Sequence, residues 1–364
     1  MGLYFFVFSA VFVTSCMNIA SKKEKYLNSY AFLLYAFLTA MTCLRYGQGT
    51  DYFNYHHIFD IAESLGGVLF SRFEPLYMLL CFVFKKLANY QIFIASISLA
   101  EMIMIWRFIR RRSAEKSVSV MILMTVVYLV YICSYLRQGL AMSIFLCFGL
   151  ELAEKREWKK YFLLCAALSM IHYVSVIYFF VPLALKFNVN SIVMCIPVCV
   201  ILSAVILPKL GEVIPYFEIG FSYQAAAERA LTFIMVYAAY SLLSDNVKYK
   251  WLMRLYCFGI ALYFLFLPFS YIASRVAVCF KALEIVIVPC LISERSRYRK
   301  IFVCYFFALY VVMFVHTLNN EVFFGRYFDD VNVINYPYVS VFNAEDIYNY
   351  RQMEIVLGLN LITK

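Results

Sequence analysis

The sequence predicts an all-α polytopic integral membrane protein with about 10–12 hydrophobic helices, some broken or re-entrant, lining an extracytoplasmic-facing cavity. Three observations lead there. Apolar segments of spanning length follow one another from end to end of the 364 residues, and about 20 such residues cross a bilayer. Only 15% of residues are charged and 64% are hydrophobic, where soluble domains are about 25% charged and 45–50% apolar. Lys and Arg gather in the short loops between apolar segments, as cytoplasmic loops require.

The twelve apolar segments run at roughly 2–20, 27–44, 74–88, 90–108, 118–136, 138–153, 161–185, 190–208, 230–243, 251–269, 272–292 and 300–318. The first lacks a basic leader and a small-residue cleavage site, so it reads as a retained span. Barrel strands are excluded, because no ten-residue alternating segments recur. There is no internal repeat. Residues 1–318 form one transmembrane domain, and 319–364 form an aromatic-rich extracytoplasmic tail.

Charge orients the loops. Those at 21–25, 107–116, 154–160, 244–254 and 293–300 are basic and belong inside. The stretch 45–73, the Arg137-Gln138 hinge, the loop 209–229 and the tail then lie outside. The net charge of +10 is therefore topological and implies no nucleic-acid partner. Parity fails in two places. If 74–88 and 90–108 both cross, Arg110–Arg112 land outside; if 161–185 is one span, 244–254 lands outside. Broken or re-entrant helices repair both, and such backbone is tolerated at membrane depth only where protein or a watery cavity covers it.

Ionisable groups near the membrane ask for a reason, since each costs about 2.5–3.5 kcal/mol at the bilayer centre on insertion scales. In Arg45-Tyr-Gly-Gln-Gly-Thr-Asp51-Tyr52-Phe-Asn-Tyr55 the glycines allow positive φ or close backbone approach, Arg45 suits an anion, and Asp51 suits a proton. A solvated turn is the bland alternative. His56-His57 lacks a third ligand, so no metal is implied. Glu74-Pro75 reads as a helix start or as a carboxylate at a cavity mouth. Arg137-Gln138 interrupts two apolar segments on the outer side, and arginine presents a fork suited to phosphate. His172 lies deep in an apolar run and titrates near neutrality. Lys281 and Glu284 are spaced to pair on one helix face; Arg275 precedes them. Glu101 is isolated. Arg326 and Tyr327 lie in the tail. The 12 cysteines read as small buried hydrophobes.

Four of these stretches, in this order and in a chain of this length, resemble the EpsG family of Wzy-like bacterial polysaccharide polymerases: Arg45…Gly49-Thr50-Asp51-Tyr52…Tyr55, Glu74-Pro75, Arg137-Gln138…Ala141 and Ile171-His172…Ser175. The resemblance covers the chain to about residue 185. It implies a polymerase at the outer face of the bacterial cytoplasmic membrane. Undecaprenyl-pyrophosphate-linked oligosaccharides are then donor and acceptor, with membrane lipid around them and a chain-length regulator as a further partner. The growing glycan passes to an acceptor sugar hydroxyl, and undecaprenyl pyrophosphate leaves. Arg45, Arg137 and Gln138 would meet the pyrophosphate; Arg275 is a separate site candidate with no assigned role. Asp51, Glu74 or His172 would activate the acceptor. Tyr52, Tyr55, Arg326 and Tyr327 would touch sugar or head group. No cofactor or metal is required, because arginine can neutralise the leaving group. Rival readings are an O-antigen ligase-like transferase, a membrane acyltransferase, and a flippase or transporter.

Overall fold

The computed structural model describes residues 2–20, 24–49, 51–64, 66, 68, 71–205, 220–243, 250–294, 297–320 and 338–344. Among them the fold is helical, and only two isolated β-bridges occur, Arg45 with Ser340 and Gly220 with Phe269. The helices are α1 (Gly2–Ala20), α2 (Glu24–Leu44), α3 (Tyr52–Ile61), α4 (Pro75–Leu87) and α5 (Tyr90–Arg112). Then come α6 (Lys116–Ile132), α7 (Leu136–Glu154), α8 (Trp158–Ser169) and the α9 stretch (Tyr173–Ala184). The chain continues through α10 (Val189–Val205), α11 (Tyr223–Leu243), α12 (Lys250–Leu265), α13 (Ser270–Lys281), α14 (Glu284–Ser293) and α15 (Arg299–Asn320).

Among the described residues four helices are individually long and apolar enough to cross a membrane, and α13 with α14 makes a fifth, bent by 48°. The protein is a multi-pass membrane protein. Contacts between elements sort onto two ends, called inner and outer after the charge-based expectation. At the inner end Asn18 donates to Glu115 at 2.8 Å, Arg111 pairs with Glu151 and Arg112 with Glu154. There too Arg254 donates to the Leu185 carbonyl at 2.9 Å. At the outer end Tyr338 donates to the Met41 carbonyl, Tyr46 N–H to the Val339 carbonyl, and Gly220 joins Ser270.

Neither segment in conflict, 74–88 or 161–185, forms a single helix of spanning length. Helix α4 has 13 residues, about 20 Å of rise. Its start meets Met170 through the Leu76 and Tyr77 amides, and its end returns to the outer layer, where Lys85 donates to the Asp60 carbonyl and pairs with Glu63. Segment 158–184 is a re-entrant hairpin. Helix α8 ends at Ser169, a turn follows, and α9 comes back antiparallel: Tyr161 donates to the Tyr178 carbonyl at 2.7 Å, and the rings of Phe162 and Phe179 stack. Both hairpin ends therefore lie on the side of Arg156 and Arg254, and its tip carries the buried Ile171 and His172.

The core runs through the centre of α5, α6, α7 and α14. The middle of α6, Met124–Ile132, is π-helical, as is Phe145–Gly149 within α7. Such widened turns often mark functional sites, and these two bracket the Arg137 hinge. Two glycines lock the outer loop to that hinge. Gly47 and Gly49 have positive φ, 63° and 116°, as the sequence predicted. A Cβ on Gly49 would stand 2.3 Å from the Cys133 carbonyl oxygen, so Gly49 lies directly on the α6–α7 connection.

The expected Lys281–Glu284 pair is corrected. The helix bends between these residues, so they do not share a continuous face. Lys281 turns to Glu228 at 2.8 Å, while Glu284 accepts from Tyr256 and Tyr310, each at 3.0 Å.

Candidate active site

Glu74 is the centre of the site. It is buried and sits just ahead of α4, held there because Pro75 takes the first helical position, where no amide is needed. Its Oε2 pairs with the Arg137 guanidinium. Its Oε1 accepts from the Tyr173 amide at 3.2 Å and faces His172 Nδ1 at 3.3 Å. Three elements meet at this one carboxylate: the start of α4, the start of α7 and the tip of the re-entrant hairpin. Burial alone would push its acidity down, but the His172 hydrogen bond and the Arg137 charge outweigh it and hold the pKa at about 2. Glu74 is thus a carboxylate at neutral pH.

Arg137 spends one end of its fork on Glu74 and lies among three rings, Tyr55, Phe73 and Tyr77, with centroids 5.5–5.8 Å from its guanidinium carbon. The aromatic faces favour a cation there. Its Nε has no hydrogen-bond partner. His172 is 6% exposed, and its second ring nitrogen, Nε2, is likewise buried without a partner. With Glu74 ionised, the proton of a neutral His172 belongs on Nδ1, leaving Nε2 as an acceptor.

Gln138 faces the neighbouring helix and donates to the Arg275 carbonyl at 2.7 Å; its Oε1 has no partner. Arg275 lies over the rings of Tyr135 and Tyr271, at 4.7 and 4.1 Å. Asp51 starts α3 and accepts from Asn54 at 3.3 Å. Burial raises its pKa, and the positive charges of Arg275 and Arg137 pull against that rise. Asp51 therefore lies within electrostatic range of the same two arginines.

The structure thus brings together Asp51, Tyr55, Glu74, Arg137, Gln138, His172 and Arg275. It does not bring Arg45 or Tyr52 to them. Arg45 is buried at the end of α2, and one nitrogen of its guanidinium donates to both the Thr42 carbonyl and Ser98 Oγ, at 2.6 and 2.7 Å. Tyr52 donates to Gln91 at 2.8 Å and accepts from Tyr90 on its carbonyl. Arg326 and Tyr327 lie outside the described residues. His56 stacks on Tyr90 at 4.4 Å. Glu101 is fully buried beside Gly139, where an added Cβ would approach its Oε1 to 2.9 Å.

Sequence reasoning missed the aromatic seat of Arg137 and missed Arg229 altogether. Arg229 had been assigned to the outer loop, yet it belongs to α11 and is only 9% exposed. The apolar run from Ala230 onward, which Arg229 immediately precedes, was the available signal. Among known proteins, the family model described as EpsG family matches residues 28–338. No curated protein and no solved structure matches the chain.

Proposed function

The chain belongs to the EpsG family, whose members are Wzy-like polymerases of exopolysaccharide biosynthesis, and from that premise we propose that it polymerises undecaprenyl-pyrophosphate-linked repeat units at the outer face of the bacterial cytoplasmic membrane. The observation that carries the reading is the His172–Glu74–Arg137 cluster. Residues far apart in the chain converge there on one buried carboxylate of a membrane domain, within electrostatic range of a second carboxylate and a further arginine.

Each group has a task in glycan transfer. The acceptor sugar hydroxyl gives its proton to His172 Nε2, the buried nitrogen left open by the Glu74 contact. Its oxygen attacks the anomeric carbon of the donor glycan. The bond from that carbon to the diphosphate oxygen breaks, and undecaprenyl pyrophosphate leaves with the electron pair. Glu74 fixes the tautomer and tilt of His172 and stabilises the imidazolium that forms, as carboxylates do behind catalytic histidines. Its three-fold engagement and low pKa make it a poor base. Arg137 binds oxygen-rich substrate at the site, and Tyr55 supplies a ring beside the sugar. Arg45 holds α2 to α5 from within and positions the glycine loop.

Reconstitution of the purified protein with its lipid-linked repeat unit tests the reading. Wild type should give a ladder of glycan lengths that Arg137→Ala loses at equal expression. A repeat unit that crosses the bilayer without lengthening would make transport the correct reading instead.

A further inference from the structure

A cavity of about 520 Å³ opens beside the site between α6, α11, α13 and α15. Three cations line it, Arg229, Arg275 and Lys281, against one carboxylate, Glu228. Glu228 is taken by Lys281 at 2.8 Å, with His316 at 4.0 Å. Neither arginine makes a close ion pair among the described residues, although Asp51 acts on Arg275 and Glu228 and Glu284 act on Arg229 from farther away. Arg229 lies over the Tyr263 ring at 4.8 Å, and its Nε and Nη1 are buried with no hydrogen bond; the Arg275 Nε is in the same state. Hydroxyls of Ser222, Ser270 and Ser274 stand around them.

A guanidinium buried in a membrane protein without an acceptor is costly, and such residues mark sites of charged ligands. Arginine forks match phosphate oxygens in particular. The cavity also adjoins the reaction centre: Gln138, next to Arg137, holds the Arg275 backbone at 2.7 Å. Arg137 itself is already neutralised by Glu74, so the uncompensated positive charge of the region lies on the α11–α13 side.

We propose that this cavity is the oxyanion subsite for the diphosphate of the lipid-linked donor, with Arg229 and Arg275 as its fork donors. The assignment rests on the polymerase reading for the identity of the donor. It does not rest on it for the binding of a diphosphate. In this arrangement the developing charge of the leaving group meets Arg229 and Arg275 while the acceptor proton moves to His172, on the opposite side of Gln138.

The test is equilibrium binding of farnesyl diphosphate to the detergent-purified full chain, with inorganic pyrophosphate and a uronic-acid oligosaccharide as separate probes. Arg229→Gln should weaken farnesyl diphosphate at least about tenfold, the scale of one lost charged hydrogen bond. Arg229→Lys should recover part of that loss and report on folding. Lys160→Gln, on the exposed face of α8, should change binding by less than about threefold on the same scale. Loss of pyrophosphate alongside farnesyl diphosphate places recognition in the diphosphate itself. Arg229-dependent binding of the oligosaccharide alone would overturn the assignment in favour of an acidic sugar. Diphosphate binding unchanged in Arg229→Gln also overturns it, whatever the polymerisation assay gives. Arg229-dependent diphosphate binding in a protein that makes no ladder would leave the subsite standing and sink the polymerase reading.

Discussion

His172 Nδ1 stands 3.3 Å from Glu74 Oε1, although 98 positions separate the two residues. The contact exists because the chain between Trp158 and Ala184 enters the protein and turns back. Were that segment one continuous helix, Met170–His172 would lie within its length, and the backbone contacts from Met170 to Leu76 and Tyr77 could not form.

The first prediction follows from that path. Cysteines at Lys160 and at Lys186 should both react with a membrane-impermeant maleimide from the inner side, and one at Lys85 from the outer side, each scored above the native cysteines. The latter include exposed Cys16, Cys195 and Cys304, so the unmodified chain sets the baseline. Reaction of Lys186→Cys from outside would restore a continuous span and dissolve the site.

Glu74 also predicts how stability depends on pH. Its pKa is about 2 in the folded protein against an ordinary 4.5. The folded value is the lower one, so the stabilisation is full above pH 4.5 and is lost as pH falls toward 2. Thermal midpoints in detergent should fall more steeply through that window for wild type than for Glu74→Gln. Parallel curves would mean that the Arg137 and His172 contacts contribute no net stability.

The outer loop gives a packing prediction. At Gly49 a methyl group would press into the Cys133 carbonyl at 2.3 Å, and φ is 116°; at Gly139 it would meet the Tyr131 carbonyl at 2.5 Å. Backbone carbonyls in the core do not yield cheaply, so Gly49→Ala and Gly139→Ala should each cost at least about 1–3 kcal/mol, measured as a lowered unfolding midpoint. Gly66→Ala serves as control, since its Cβ would meet only Ser64 Oγ at 3.7 Å.

Much of this was legible because topology obeys charge. The basic loops predict which ends lie inside, and failed parity points to breaks in 74–88 and 161–185, where the structure has no single helix of spanning length. Gly49 and Glu74-Pro75 were readable because positive φ and helix starts demand particular residue types. The side-chain partners were not readable. An arginine after a span looks the same whether it reaches outward or folds back, and Arg45 folds back to Ser98, 53 positions away. The bend between Lys281 and Glu284 carries no proline or glycine at Ala282 and Leu283, so nothing local announced that the two would part. Arg229 was hidden by its neighbour Glu228, which made the pair look like the edge of a loop.

The last prediction decides which group takes the acceptor proton. Three candidates share the site, and the structure separates them. Glu74 is held by three donors and is the weakest base. Asp51 is half-buried, and burial raises its pKa while Arg275 and Arg137 oppose the rise. His172 alone combines an orienting carboxylate with a buried, unpartnered nitrogen. His172→Gln should therefore lower kcat by about 10²–10⁴, the range for loss of a general base, with the substrate KM little changed. Asp51→Asn should act mainly on KM, through Arg275 and Arg137. The reverse pattern, with Asp51→Asn inactive and His172→Gln turning over, would move the base to Asp51. The pH profile then gives an independent reading. Activity would fall as Asp51 takes up its proton, on an acid limb lying above the ordinary carboxylate range because burial raises that group. With a histidine base, Asp51→Asn would leave the limb where it is.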